Sequence, residues 1–175
     1  MAKRGIPTKY AKTKVNTKPD AADAYAGFMS RAYAMELEAT DRYTLFADEL
    51  ETLGNHEVSM LFRKLAEIEA LHARRILAEM GWASLPALAP AFAWEGSEGP
   101  ETAPSDSLQH PMQPYQALEI ALRCELKAQK YFESIASGAE RVSAAAGEMA
   151  ADEREHVKLI RDWLQRVRRP ASGSA

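Results

Sequence analysis

Apolar residues recur along most of this chain at intervals of three and four, the spacing of one face of an α-helix. A first stripe runs Met29, Ala32, Ala39, Tyr43, Ala47 and Leu50. A second runs Phe62, Leu65, Ala66, Ala73 and Ile76. A third runs Leu118, Ala121, Leu122, Ala128 and Phe132, and a fourth Ala146, Met149, Ala150, Val157 and Ile160. The pattern predicts four helices over about 21–53, 56–80, 113–137 and 140–168. Gly54 stops the first, and Asn55 is placed to cap the second. Gly81 ends the second helix and Gly138 the third, and Pro170 blocks continuation of the fourth. Gly147 inside the fourth helix reads as a local weakness or a point of close packing. The link at 54–55 is short enough to make the first two helices antiparallel neighbours. Residues 81–112 instead hold Pro86, Pro90, Pro100, Pro104 and Pro111. A loop that long needs a reason, and a crossover that starts the third helix parallel to the second supplies one. The fold expected is an all-α four-helix bundle.

Each stripe is interrupted by an acid. Glu36 lies on the first, Glu69 on the second, Glu125 on the third and Glu153 on the fourth. His72 follows Glu69 by three residues and His156 follows Glu153 by three, so both histidines share the inward face. The neighbouring acids behave differently. Glu67 lines up with Arg63, Lys64 and Arg74, and Glu38 with Arg31, Asp41, Arg42 and Glu49, which makes these solvent faces. Four carboxylates in a core would carry four negative charges in a low dielectric, and two divalent cations would neutralise them. One glutamate from each of two helices plus Glu-x-x-His from each of the other two is the ligand set of di-iron and di-manganese carboxylate bundles. Oxygen and nitrogen donors without thiolate suit iron or manganese better than a structural zinc. The competing reading, a proton-sharing buried polar network, would leave too many acids unpaired.

Composition narrows the function classes. The single cysteine, Cys124, excludes an intramolecular disulfide and a four-cysteine metal module. No apolar run is long enough to span a membrane, and no apolar segment follows the basic N-terminus as a secretory signal would require. The expected compartment is the cytoplasm. Residues 1–19 carry Lys3, Arg4, Lys9, Lys12, Lys14 and Lys18 and no acid, a charge of +6, whereas the remainder carries −9. A solvated, disordered tail over 1–20 ahead of an acidic domain is expected, with a short tail over 170–175. The basic tail has no motif that would recommend nucleic acid as a partner.

Four segments resemble the helices of the rubrerythrin group within the ferritin-like superfamily: Ala34-Met-Glu-Leu-Glu-Ala-Thr-Asp-Arg-Tyr43, Leu65-Ala-Glu-Ile-Glu-Ala-Leu-His72, Ala117-Leu-Glu-Ile-Ala-Leu-Arg-Cys-Glu125 and Asp152-Glu-Arg-Glu-His-Val157. The resemblance covers about residues 22–168. It implies a ferritin-like left-handed bundle over 21–169 with the long crossover between helices two and three. It also implies two iron ions, bridged by Glu69 and Glu153, with Glu36 and Glu125 terminal and His72 and His156 each on one iron. Manganese is the other metal the donors would suit. Further implications are a homo-oligomer, expected as a dimer, and hydrogen peroxide as the favoured substrate over oxygen. The chain departs from rubrerythrins in lacking a rubredoxin domain, so electrons must come from a separate rubredoxin-like protein or reductase. The further helix-three glutamate of that group is replaced by Ala128. Bacterioferritin uses a methionine just after its helix-two glutamate for haem. Ala70 stands there in this chain, so no haem is expected.

Several side chains near the layer carry two readings each. Asp152 either orients His72 as a hydrogen-bond acceptor or is a surface acid. Tyr43 either hydrogen-bonds a ligand or relays an electron, or is a core tyrosine with its hydroxyl satisfied. Ala39 and Ala128 are small enough to leave a gap for oxygen or peroxide beside the metals. His56 and His110 read as surface groups, Cys124 as a small buried hydrophobe, and Trp82, Trp94 and Trp163 as packing residues. The leading functional expectation is a non-haem di-iron oxidoreductase that reduces hydrogen peroxide or oxygen with an external electron donor. The alternatives are a ferroxidase of iron storage and a metal-stabilised bundle without catalysis.

Overall fold

A computed structural model describes residues 21–83, 113–136 and 140–167. They form four helices, α1 Ala21–Thr52, α2 His56–Met80, α3 Pro114–Ile135 and α4 Glu140–Arg166. The terminal tails, the proline-rich crossover, His110, Trp94 and Gly138 lie outside the described residues. Helix ends follow local chemistry. Gly54 and Gly81 take positive φ values of 76° and 64°, the left-handed conformation that glycine adopts without a Cβ clash. At Gly81 the exposed helix carbonyls are capped: its own N–H reaches Ala78 at 3.2 Å and that of Trp82 reaches Leu77 at 2.9 Å. Asn55 stands at the N-cap of α2, but its side chain makes no capping bond. The α3 start uses Pro114 in the first turn, and Gln116 accepts the Gln113 N–H at 3.0 Å.

Contacts between helices give their directions. Moving up α2, Ser59 Oγ donates to the Ala47 carbonyl at 2.8 Å, His72 lies beside Glu36, and Glu79 accepts from Tyr25. Residue numbers fall in α1 as they rise in α2, so the pair is antiparallel. The same holds for α3 and α4, where Glu125 meets His156 and Glu133 meets Arg154. It holds again for α2 and α4, through Glu69 with His156 and His72 with Asp152. Helix α3 must then run parallel to α2, as a crossover requires. The fold is that of a ferritin-like four-helix bundle.

The core is split in two. One apolar cluster gathers Tyr43, Phe46, Phe62, Leu118 and Ile160. Another gathers Phe28, Met29, Ile76, Phe132 and Ala146. On every helix the inward glutamate sits between members of the two clusters, so the acids form a polar layer across the middle. Met149 and Leu122, expected on the buried stripes, are only partly covered. Gly147 makes no close packing contact, since an added Cβ would meet nothing within 4 Å. It is therefore the local weakness of the two readings. Gly147→Ala is expected to stabilise the protein by about 1 kcal/mol, because glycine loses more backbone freedom than alanine in a helix. Thermal melting should show a midpoint about 2–4 °C higher; a lower one would mean that the glycine has a packing role after all.

Candidate metal centre

Heptad-like burial delivers all four stripe acids to one level of the bundle. Glu36, Glu69, Glu125 and Glu153 are each at most 4% exposed, and His156 is 5% exposed. Glu67 faces solvent, as its basic neighbours require. The two histidines aim the same atom inward. His156 Nδ1 lies 3.1 Å from Glu69, 3.3 Å from Glu125 and 3.4 Å from Glu153. His72 Nδ1 lies 3.4 Å from Glu69 and 3.6 Å from Glu36. The imidazole rings stack, with centroids 5.6 Å apart and planes 15° from parallel. Glu69 therefore reaches both histidines, whereas Glu36 reaches one.

Two sets of three ligand atoms lie within 4.8 Å of one another: Glu69, His72 and His156, and Glu125, Glu153 and His156. Together they take in five of the six sequence candidates and share His156. Glu36 belongs to neither set and flanks the first through its contact with His72. The donors fit a pair of divalent cations. They are carboxylate oxygens and imidazole nitrogens in an otherwise apolar core, and Glu125 Oε1 is buried there with no hydrogen-bond partner among the described residues. A buried oxygen in that state is costly unless a cation claims it. Cys124 is a buried thiol and belongs to neither set.

In the metal-free site protons and imidazolium stand in for cations. Burial opposes charge on His72, but Glu36 and Glu69 outweigh it and raise its pKa to about 9. His156 is raised further still, against burial, by Glu125, Glu153 and Glu69. Burial likewise opposes ionisation of Glu69, yet the two histidines pull it down to about 2. Glu36 goes the other way: burial lifts its carboxyl well above the usual range, and the charge on Glu69 adds to the effect. The acids of the layer are thus inequivalent, and Glu36 is the one that holds a proton most readily.

The surrounding residues divide less evenly. Asp152 faces His72, with Oδ2 3.9 Å from Nε2, a charge contact longer than a hydrogen bond, and its side chain is exposed. Tyr43 is fully buried against Phe62 and Phe46, and its hydroxyl has no hydrogen-bond partner among the described residues. It therefore neither bonds a ligand here nor satisfies its hydroxyl elsewhere. His56 is exposed and pairs with Glu51 at 2.9 Å. Trp82 and Trp163 are partly buried against the two clusters. The space enclosed by Met35, Glu36, Ala39, Glu69, Glu125 and Glu153 is too small for a water molecule, and Ala128 is fully buried in the Phe132 cluster. Among the described residues no water-sized gap stands at Ala39. Arg42 corrects a second expectation. Placed by its spacing on the solvent face with Glu38, it is only 8% exposed, with its guanidinium 5.4 Å from the centre of the Tyr43 ring. Burial pushes Glu125 up, but Glu153, His156 and the Arg42 charge hold it below the usual carboxylate range. The sequence signal was its place one residue before Tyr43, at the stripe edge, where a long stem folds inward.

Comparison with known proteins accords with this geometry. The rubrerythrin family model matches residues 27–84, the span that carries Glu36, Glu69 and His72. A solved structure of an uncharacterized conserved protein from Magnetospirillum magnetotacticum MS-1 is similar to this chain, with 29% identity and a TM-score of 0.71. The match covers 85% of this chain and 98% of that one. No curated protein matches. Among the described residues no helix is long and apolar enough to cross a membrane.

Proposed function

We propose that this chain, whose residues 27–84 match the rubrerythrin family model and whose fold is ferritin-like, is a non-haem di-iron oxidoreductase that reduces hydrogen peroxide. The observation that supports this most directly is the pair of three-ligand sets joined at His156 in a buried layer. Glu36, Glu69, His72, Glu125, Glu153 and His156 would hold the metals, with iron preferred and manganese compatible with the same donors. A pair of irons held by these residues would supply the two electrons needed to split an O–O bond, and with two protons peroxide would leave as two waters. Glu69, within reach of both histidines, is suited to link the two positions. Asp152, 3.9 Å from His72, would orient it only by closing to hydrogen-bond distance, and Arg42 adds fixed positive charge beside Glu125. The hydrophobic clusters above and below the layer exclude water from the reacting groups. An external donor resets the irons, and a dimer is the assembly proposed.

A second reading, ferroxidase activity, draws on the acids Glu79, Glu148 and Asp152 around the open side of the centre, which suit an incoming cation. A stopped-flow comparison separates the two. Metal-free protein would be loaded anaerobically with about two Fe(II) per chain, the stoichiometry of this bundle class, and mixed with hydrogen peroxide or with oxygen. The oxo-ferric absorption is expected to form much faster with peroxide, with no further iron consumed. Faster oxidation by oxygen with continued uptake of added Fe(II) would replace the peroxidase reading with the ferroxidase one.

A further inference from the structure

The two ligand sets differ in what surrounds them. Glu125, Glu153 and His156 are all buried, and among the described residues none lines the cleft that reaches His72. On the other side a cleft of about 140 Å³ separates α2 from α4, and its lining includes His72 and Glu36. Its walls and mouth carry Arg75, Glu79, Glu148 and Asp152, three carboxylates against one guanidinium. His72 is the half-open member of the first set, with a side chain 12% exposed against 6% for His156. Glu36 is itself buried, belongs to neither set, and lies on the cleft floor beside His72. The space on the Ala39 side of the layer cannot pass even a water molecule.

We propose that the cleft between α2 and α4 is the port through which divalent metal ions reach and leave the centre, and that it opens on the Glu69–His72 position alone. The mouth carboxylates draw a cation in, since a charged cleft concentrates ions of opposite sign. Glu36 is the first buried ligand that the ion meets, and His72 hands it to Glu69. A metal held by Glu125, Glu153 and His156 meets no cleft among the described residues and passes through the first position. One metal therefore exchanges and the other is retained. This rests on the metal-binding part of the function proposed above and not on the peroxide chemistry.

The test uses Co(II) as the probe, with its visible absorption as the readout, so no turnover is needed. The full chain is loaded with about two Co(II) per chain and mixed with excess chelator. Release is expected in two phases of equal amplitude, the first at least about tenfold faster, as for an exposed against a sealed ligand set. A single phase carrying both metals would overturn the proposal. Ala145 lines the cleft wall, so Ala145→Phe should block the passage and slow the fast phase by about tenfold or more; wild-type release from a variant that keeps its helical circular dichroism would overturn it. Glu148→Lys, an exposed change that spares every ligand, guards against misfolding of the bulky variant. It should slow Co(II) uptake about tenfold at low salt, with the difference shrinking as salt screens the mouth. Uptake at the wild-type rate would overturn the port. Failure to bind Co(II) at all would overturn the metal centre itself, whereas two-phase release without peroxide reduction would leave the port standing and remove the oxidoreductase reading.

Discussion

Replacing His156 with alanine is expected to empty the metal position at Glu125 and Glu153, while the same change at His72 empties the one at Glu69. His156 Nδ1 lies within 3.4 Å of Glu69, Glu125 and Glu153, but its one lone pair serves one metal at a time. Its loss leaves Glu125 and Glu153 without the nitrogen donor of their set. His72 belongs only to the first set, so Glu125, Glu153 and His156 survive its loss intact. After anaerobic loading and desalting, metal content should fall from about two per chain to about one in either variant, with the remaining metal released fast to chelator in His156→Ala and slowly in His72→Ala. Stability should follow. Removing the imidazole leaves three buried carboxylates facing one another, and breaking a buried charge cluster in this way costs about 3–5 kcal/mol. Denaturant unfolding of the metal-free variants should show the larger loss at His156, since His72 is the more exposed of the two. About two metals per chain in either variant would mean that the replaced histidine does not hold metal.

The second large effect concerns pH. In the metal-free fold His72 is raised from 6.5 to about 9, because Glu36 and Glu69 outweigh its burial. Burial raises Glu36 in the same direction. Groups raised on folding bind protons more tightly in the native state. Their contribution is fully present below the unfolded pKa and is lost as pH climbs through the folded one. For His72 that window runs from about 6.5 to about 9. Glu69 acts oppositely: lowered to about 2, it stabilises above 4.5 and fails as pH falls toward 2. The metal-free protein should therefore be most stable under mildly acidic conditions, and its melting temperature should drop between pH 6 and pH 9. Metal reverses the sign. Coordination needs deprotonated ligands, so binding releases protons and tightens as pH rises. A site filled at a thousand times its dissociation constant adds about 4 kcal/mol. Calorimetry of the metal-free and loaded protein over that range should give slopes of opposite sign. A flat metal-free profile would show that the layer holds no excess protons.

These two results bear on why an acidic layer is retained at all. Four carboxylates between two apolar clusters weaken a bundle that would be simpler with leucine at the same positions. Cations replacing the protons would relieve that strain, which would couple folding to metal and leave the donors already gathered for it. The orphaned Glu125 Oε1 is the local sign of that arrangement.

Much of this was readable in one dimension. A helix repeats every 3.6 residues, so an acid that interrupts an apolar stripe must point inward, and a histidine three positions on must point with it. Glu36, Glu69, His72, Glu125, Glu153 and His156 were found in that way, and the structure gathers them at one level. The parallel course of α2 and α3 followed from the length of the segment between them. Periodicity says which side a residue faces, and nothing about how far its side chain reaches or which gaps its neighbours fill. That is why Arg42, at the edge of a stripe, could be read as solvent-facing although its long stem carries the guanidinium into the core. It is also why Ala39 suggested an opening where the described side chains leave no room for a water molecule. The cleft that reaches His72 lies between Glu36 and His72 on one side and Ala145, Glu148 and Asp152 on the other, residues brought together from α1, α2 and α4. The identity of the ligands was thus set by local geometry along each helix. The exposure of His72, the sealing of His156 and the sharing of that histidine between two ligand sets depend on how the helices pack, and only the tertiary structure decided them.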